Sequence, residues 1–187
     1  MRSRCTRSVE GSVLWLLNDA TLATANLRRE AAARGIDPNR LIFADPVPQD
    51  RHIGRIGVAD LVLDTLPYNA HTTGSDALWA GVPIVTCMGS AFAGRVAASL
   101  LHSVGLAELV TTNFQDYEAL AVQLARDPHR LQGLRVKLNE NRRKSPLFDT
   151  ERFRQGIESA YTTMWTIWQS GESPRSFAVG EPAFASS

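Results

Sequence analysis

His71, Thr72 and Thr73 stand in a row ahead of Gly74, Ser75 and Asp76, between two apolar stretches, Leu61-Val62-Leu63 and Ile84-Val85-Thr86. An imidazole and two hydroxyls can donate hydrogen bonds to a phosphate. The run Ser75–Trp79 predicts the start of a helix. The first N–H groups of a helix lack intrahelical acceptors and lie at the positive end of its dipole. A strand, a small-residue loop and such an N-terminus together make an anion site, so the pattern points to a diphosphate cradle. Gly74, without a side chain, would let the backbone approach the anion closely. The alternative is a helix cap in which the threonines satisfy the helix's own N–H groups and bind nothing. Asp76, expected in the first turn, is either an acid that complements the dipole or an acceptor for vicinal ribose hydroxyls.

His52 and Arg55 lie three apart and would share one helix face. They follow the carboxyl end of the expected strand Leu41-Ile42-Phe43, the edge of a parallel sheet where ligands bind. An imidazole can stack on a base and a guanidinium can bond its carbonyl oxygens; the other reading is a solvated surface pair. Arg95 is equally open, as a second phosphate ligand or an ion-pair partner. Asp60 and Asp64 flank the Leu61–Leu63 strand, and Asp64 with Thr65 can shape the turn. No Ser/His/Asp order, close carboxylate pair or metal-spaced His/Cys cluster stands out. The absence of G-x-G-x-x-G and of a Walker loop leaves nicotinamide and P-loop readings without support.

The elements that would position these residues alternate. Strands are expected at Ser12–Leu17, Leu41–Phe43, Leu61–Leu63, Ile84–Cys87 and Leu109–Val110. Helices are expected at 21–34, closed by Gly35, at 49–58 as a short helix or turn, at 76–80, at 91–103, at 117–125, at 129–144, and at 151–168 with Thr150 as its cap. Short strands alternating with helices predict a Rossmann-like α/β layer with a parallel sheet. Residues 1–11 are polar, basic and aperiodic, and are expected to be poorly ordered; 169–187 reads as a disordered tail.

The chain of 187 residues suits one domain with a real core. A net charge of +1 gives no pull toward nucleic acid or membrane, and no apolar run reaches the ~20 residues that span a bilayer. Cys5 and Cys87 are too few for a disulfide framework, and reduced thiols in a cytoplasmic protein are expected. Of twenty basic residues only Lys137 and Lys144 are lysine.

The segment Ala59–Thr65, the run Asn69–Gly81 with its HTTGSDALWAG, and the stretches Ser12–Leu17, Asn39–Phe43, Arg95–Ser99 and Ser145–Phe148 together resemble the O-linked N-acetylglucosamine transferase family, including its bacterial SPINDLY-like members. The resemblance covers residues 12 to 168, leaving 1–11 unmatched. It implies the nucleotide-sugar-binding C-terminal lobe of a GT-B fold, with the first strand missing, in an inverting enzyme that moves a sugar from UDP-GlcNAc to a protein Ser or Thr. It implies no metal and no further cofactor. By position, His71, Thr72, Thr73 and Gly74 would hold the diphosphate, Asp76 the ribose, and His52 the uracil, with Arg55 and the backbone near Val47 on the base edge. Gln49 stands where animal members carry a lysine near the ribose. A glutamine and a phosphate-binding lysine of the family fall upstream of Ser12, where MRSRCTRSVEG does not match, so no catalytic residue is assigned. The N-terminal catalytic lobe and the tetratricopeptide repeats that present protein acceptors are likewise expected outside this chain. The expected activity of the chain alone is therefore little or none. The competing expectation is a non-catalytic nucleotide-binding or interaction module; a sugar-nucleotide epimerase would share the two-lobed shape but not the HTTGSD motif.

Overall fold

The computed structural model of the chain describes residues 2–18 and 21–180. Among the described residues, eight α-helices and five short strands alternate as far as α6, with α7 and α8 following it: α1 (Arg2–Ser8), β1 (Leu14–Leu17), α2 (Thr21–Ala33), β2 (Leu41–Ala44), α3 (Gln49–Ile56), β3 (Val62–Leu63), α4 (Thr72–Trp79), β4 (Ile84–Cys87), α5 (Val96–Ser103), β5 (Val110–Thr111), α6 (Phe114–Arg126), α7 (Pro128–Asn141) and α8 (Thr150–Gln169). Every ladder is parallel, as the alternation predicts. The strands form two separate sheets, β1-β2 and β3-β4-β5, with Leu14 opposite Leu41, Val62 opposite Ile84, and Thr86 opposite Val110.

Local chemistry sets most boundaries. Asn113 caps α6 by accepting from the Asp116 N–H at 2.8 Å. Asp127 ends α6 and caps α7, accepting from the Arg130 N–H at 2.9 Å, with Pro128 at the first helical position. Asp149, rather than the expected Thr150, caps α8 by accepting from the Arg152 N–H. The expected helix 91–103 divides at Arg95 into a 3-10 turn, Phe92–Gly94, and α5.

The main core is built on β4, whose four residues are all buried. Leu78 and Ala77 of α4, Leu101 of α5, and Tyr117 and Leu124 of α6 close over it. A much smaller cluster, Ala31, Ile36 and Leu41, serves the β1-β2 sheet.

Residues 2–11 differ from expectation. They form α1, which packs against α6 and buries Cys5 and Thr6. Arg40 holds the end of this segment, donating to the Thr6 and Val9 carbonyls at 2.6 Å and to the Ser12 carbonyl at 2.7 Å. The helix is fixed by these tertiary contacts and not by a periodic apolar face, so no pattern announces it. At the other end α8 runs to Gln169, residues 172–180 carry no regular secondary structure, and the remainder of the expected tail, 181–187, lies outside the described residues. No helix among the described residues is long and apolar enough to cross a membrane.

Candidate functional site

The loop from Asp64 to His71 and the first turn of α4 line a cleft of about 460 Å³ at the carboxyl end of β3. Asp64, 2% exposed, organises that loop. One carboxylate oxygen accepts from the Thr65 N–H at 2.7 Å and the Ala70 N–H at 2.6 Å, and the other accepts from the Thr86 hydroxyl at 2.6 Å. The Tyr117 hydroxyl donates to the Asp64 carbonyl at 3.0 Å, tying the loop to α6. Asp64 thus shapes the turn, as its spacing allowed, and also anchors it to β4. Asn69 is buried beside it; its amide donates to the Thr65 carbonyl at 2.7 Å while its Oδ1 has no partner.

His71 is the residue before α4 and caps it with its carbonyl, which accepts from the Gly74 and Ser75 N–H groups at 3.0 Å. Its ring is held on three sides. It stacks on Tyr68 with centroids 4.5 Å apart, meets the edge of Phe92 at 6.1 Å, and lies 3.3 Å from both the Tyr68 hydroxyl and the Ala93 carbonyl. Its Nε2 faces that carbonyl acceptor, and Nδ1 faces the phenol. Tyr68 and Phe92 were not singled out by motif; Tyr68's position three residues before the histidine is the signal that could have found it.

Thr72 and Thr73 belong to the first turn of α4 itself, three residues earlier than the expected start at Ser75. Their side chains are exposed and line the cleft, and their backbone N–H groups open the helix, where no intrahelical acceptor exists. The earlier start also moves Asp76 out of the first turn, which contains no acid; the dipole-complementing role is thereby removed. Gly74 faces inward, not toward the cleft. A Cβ there would lie 3.2 Å from Leu100 Cδ1 and 3.3 Å from the Ala70 Cβ, so the missing side chain lets α4 pack closely on α5, and the expected close approach of an anion at this position is corrected to a packing role.

The remaining candidates lie on the other side of α4. Gln49, at the start of α3, approaches Asp76 with its amide nitrogen 3.4 Å from Oδ1. Arg55 is fixed by three contacts: it donates to the Asp45 carbonyl at 2.7 Å, lies 3.3 Å from His52 Nδ1, and covers the Trp15 ring at 5.4 Å. His52 and Arg55 are therefore a mutually supported pair rather than a solvated one, both half-buried. They line a second and larger cavity, of about 690 Å³, between β1 and β3. Val47 is exposed in the extended segment before α3 and lines neither space. Arg95 is exposed and makes no ion pair among the described residues. The structure thus groups His71, Thr72 and Thr73 in one cleft and His52 and Arg55 in another, with the Gln49–Asp76 approach between them. Among the described residues no group of three His, Cys, Asp or Glu side chains could hold a metal ion.

Residues 1–157 match the family model described as glycosyl transferase family 41, so the match includes residues 1–11, which lie outside the motif resemblance. The chain is 40% identical over 176 residues to a probable UDP-N-acetylglucosamine–peptide N-acetylglucosaminyltransferase, SEC, of Arabidopsis thaliana, covering 94% of this chain and 18% of that protein. It is 37% identical over 164 residues to the UDP-N-acetylglucosamine–peptide N-acetylglucosaminyltransferase of Caenorhabditis elegans, covering 88% of this chain and 14% of the relative. Among solved structures it superimposes on a lysine-to-methionine mutant of the Thermobaculum terrenum O-GlcNAc transferase with a TM-score of 0.84 and 33% identity, over 91% of this chain and 34% of the other. The chain spans less than a fifth of those two curated relatives and about a third of the solved one.

Proposed function

Because the chain belongs to glycosyl transferase family 41, we propose that it is the donor-binding part of a protein O-GlcNAc transferase, holding UDP-GlcNAc for transfer to a Ser or Thr hydroxyl of a protein acceptor. The observation that carries this reading is the opening of α4 onto the cleft: two exposed threonines and their N–H groups beside a histidine clamped by Tyr68, Phe92 and the Ala93 carbonyl. A leaving diphosphate gains negative charge at this point, and preorganised donors at a helix N-terminus stabilise that charge without reorganising. His71, Thr72 and Thr73 take the diphosphate, Asp76 and Gln49 the ribose side, and His52, Arg55 and the Val47 backbone the base. The acceptor hydroxyl oxygen displaces UDP directly at the anomeric carbon, its bond to the sugar forming as the bond to the diphosphate oxygen breaks and its proton being given up, with no metal and no cofactor beyond the UDP-sugar. The buried free thiols Cys5 and Cys87 suit a reducing cytoplasm.

The relatives' greater length supports placing the acceptor side, with a further lobe and repeats, outside this chain. Neither Lys137 nor Lys144 lines the cleft, which favours, as a second reading, a module that binds nucleotide without turning it over. Calorimetric titration of the purified chain with UDP, UDP-GlcNAc and GDP-fucose tests the assignment. Weak binding of the two uridine ligands, with negligible release of GlcNAc onto peptide, is expected. A preference for GDP-fucose would overturn the donor, and robust transfer by the chain alone would overturn the division of labour.

A further inference from the structure

We propose that Tyr68 is a positioning residue for His71: its ring holds the imidazole in the one orientation that gives Nε2 to the Ala93 carbonyl and leaves Nδ1 for the ligand. This role rests on the donor-site reading and adds the residue through which His71 acts. A carbonyl can only accept, so Nε2, 3.3 Å from the Ala93 oxygen, is the nitrogen that carries hydrogen. That oxygen is fixed by its own neighbours. It also accepts from the Asn69 N–H at 2.8 Å, and the next residue, Gly94, is seated so tightly that a Cβ there would lie 3.0 Å from the Pro67 carbonyl oxygen. Nδ1 has no such anchor and faces the Tyr68 side chain, which lines the same cleft. A phosphate oxygen likewise only accepts. It therefore meets Nδ1 with a hydrogen on it, and the ring in the complex holds hydrogen on both nitrogens.

One hydrogen bond fixes one ring atom and leaves the plane of the imidazole free to tilt. Tyr68 supplies the plane: the two rings stack with centroids 4.5 Å apart and 19° between their planes. The backbone beneath the phenol is held independently. The Tyr68 carbonyl accepts from the Thr65 hydroxyl at 2.7 Å, and the Asn69 side-chain amide donates to the Thr65 carbonyl at 2.7 Å, so the stacking ring stands on a closed turn. Tyr68 is 61% exposed, and an aromatic that leaves most of its surface in water adds little to the core. Phe92 meets the imidazole only by its edge and is 82% exposed; it bounds the ring without setting its plane. Without the stack the imidazole could turn over, giving Nδ1 to the carbonyl and Nε2 to the cleft. Since the hydrogen on one ring nitrogen follows from the bond that the other makes, that turn exchanges the tautomer as well as the orientation.

The test uses the whole chain. Tyr68→Phe keeps the stacking ring and Tyr68→Ala removes it. Calorimetric titration with UDP should leave Y68F within about twofold of the native affinity and Y68A weaker by about fivefold, the worth of one stacked aromatic pair. Circular dichroism and melting temperature should be unchanged in both. In a His71→Ala background, Tyr and Ala at position 68 should bind UDP equally, because nothing remains to be positioned. In the free chain, nitrogen-15 spectra should show hydrogen on His71 Nε2 in the native protein and in Y68F, and a mixture of the two tautomers in Y68A. A loss in Y68F equal to that in Y68A would make the hydroxyl the working group, and a Y68A loss that persists beside H71A would make Tyr68 a direct ligand contact. Either result overturns the proposal, as does an unchanged tautomer in Y68A. The spectra need no nucleotide: if they change as expected while the native chain takes up no UDP, the donor reading fails and the positioning of the ring stands.

Discussion

All four residues of β4 are buried, three of them completely, whereas β1, of equal length, has no buried residue and leaves Leu17 55% exposed. The contrast extends to what stands behind each strand. Thirteen buried residues form the cluster around β4, and three form the one around β2. The half of the fold that presents His71, Thr72 and Thr73 is therefore packed on its own account. The half that presents His52 and Arg55 is held by a minor core, by Arg40's grip on α1, and by the surface of an open cavity. Since burial of apolar surface is the main source of stability, the half that carries His71, Thr72 and Thr73 is the more strongly stabilised and the half that carries His52 and Arg55 the less.

The largest test of that contrast is in the cores. Leu101→Ala, at a fully buried position in the β4 cluster, should cost roughly 4 kcal/mol, and Leu41→Ala in the small cluster roughly 2 kcal/mol, both read by urea denaturation. Equal losses would erase the distinction between the halves. Next comes the loop that joins core to site. Asp64→Ala strands the Thr65 and Ala70 N–H groups and the buried Thr86 hydroxyl, and should cost roughly 3 kcal/mol together with most of the UDP affinity. If affinity is lost without stability, Asp64 contacts the ligand instead of shaping the loop. Thr72→Ala should weaken UDP binding roughly tenfold, the worth of one hydrogen bond to a charged group, with an unchanged melting temperature. His52→Ala should weaken it by a smaller factor, because on the proposed reading it meets an uncharged base whereas Thr72 offers a hydrogen bond to a charged phosphate; a larger loss from H52A than from T72A would invert the comparison.

The smallest effect is expected at α8, which belongs to neither core. Arg154 and Gln155 donate to Glu151 and hold its carboxyl down at about 2. A carboxyl depressed on folding contributes stability that is present above its unfolded value near 4.5 and lost as pH falls toward 2. Glu151 is fully exposed, so the contribution is slight. Melting curves between pH 5 and pH 2 should show the native chain losing marginally more than E151Q.

The alternation of strands and helices was legible in the sequence because each strand is a short apolar run bounded by turn residues, and the parallel ladders follow from it. The HTTG run was legible as a segment tied to a helix start, but not its register. Threonine reads as a cap or loop residue by local preference, whereas here Gly74 docks α4 against Leu100 and draws Thr72 and Thr73 into the first turn. The same shift relocated Asp76. α1 left no mark because its seven residues owe their helix to α6 and Arg40, contacts distant in sequence. The division of the sheet was invisible for a related reason: period and composition tell that a segment is a strand, and not which strand lies beside it.

Arg55's three contacts have an entropic consequence. A free arginine on a surface helix samples many rotamers, and immobilising such a side chain at a binding interface costs about 0.5–1.5 kcal/mol. Here the Asp45 carbonyl, the His52 ring and the face of Trp15 already confine the guanidinium. That loss of freedom falls on folding and not on ligand capture, so on the proposed reading a base at this edge would meet a donor fork whose orientation is already set. Trp15→Ala, by removing the surface on which the guanidinium rests, would transfer that ordering cost to the binding step.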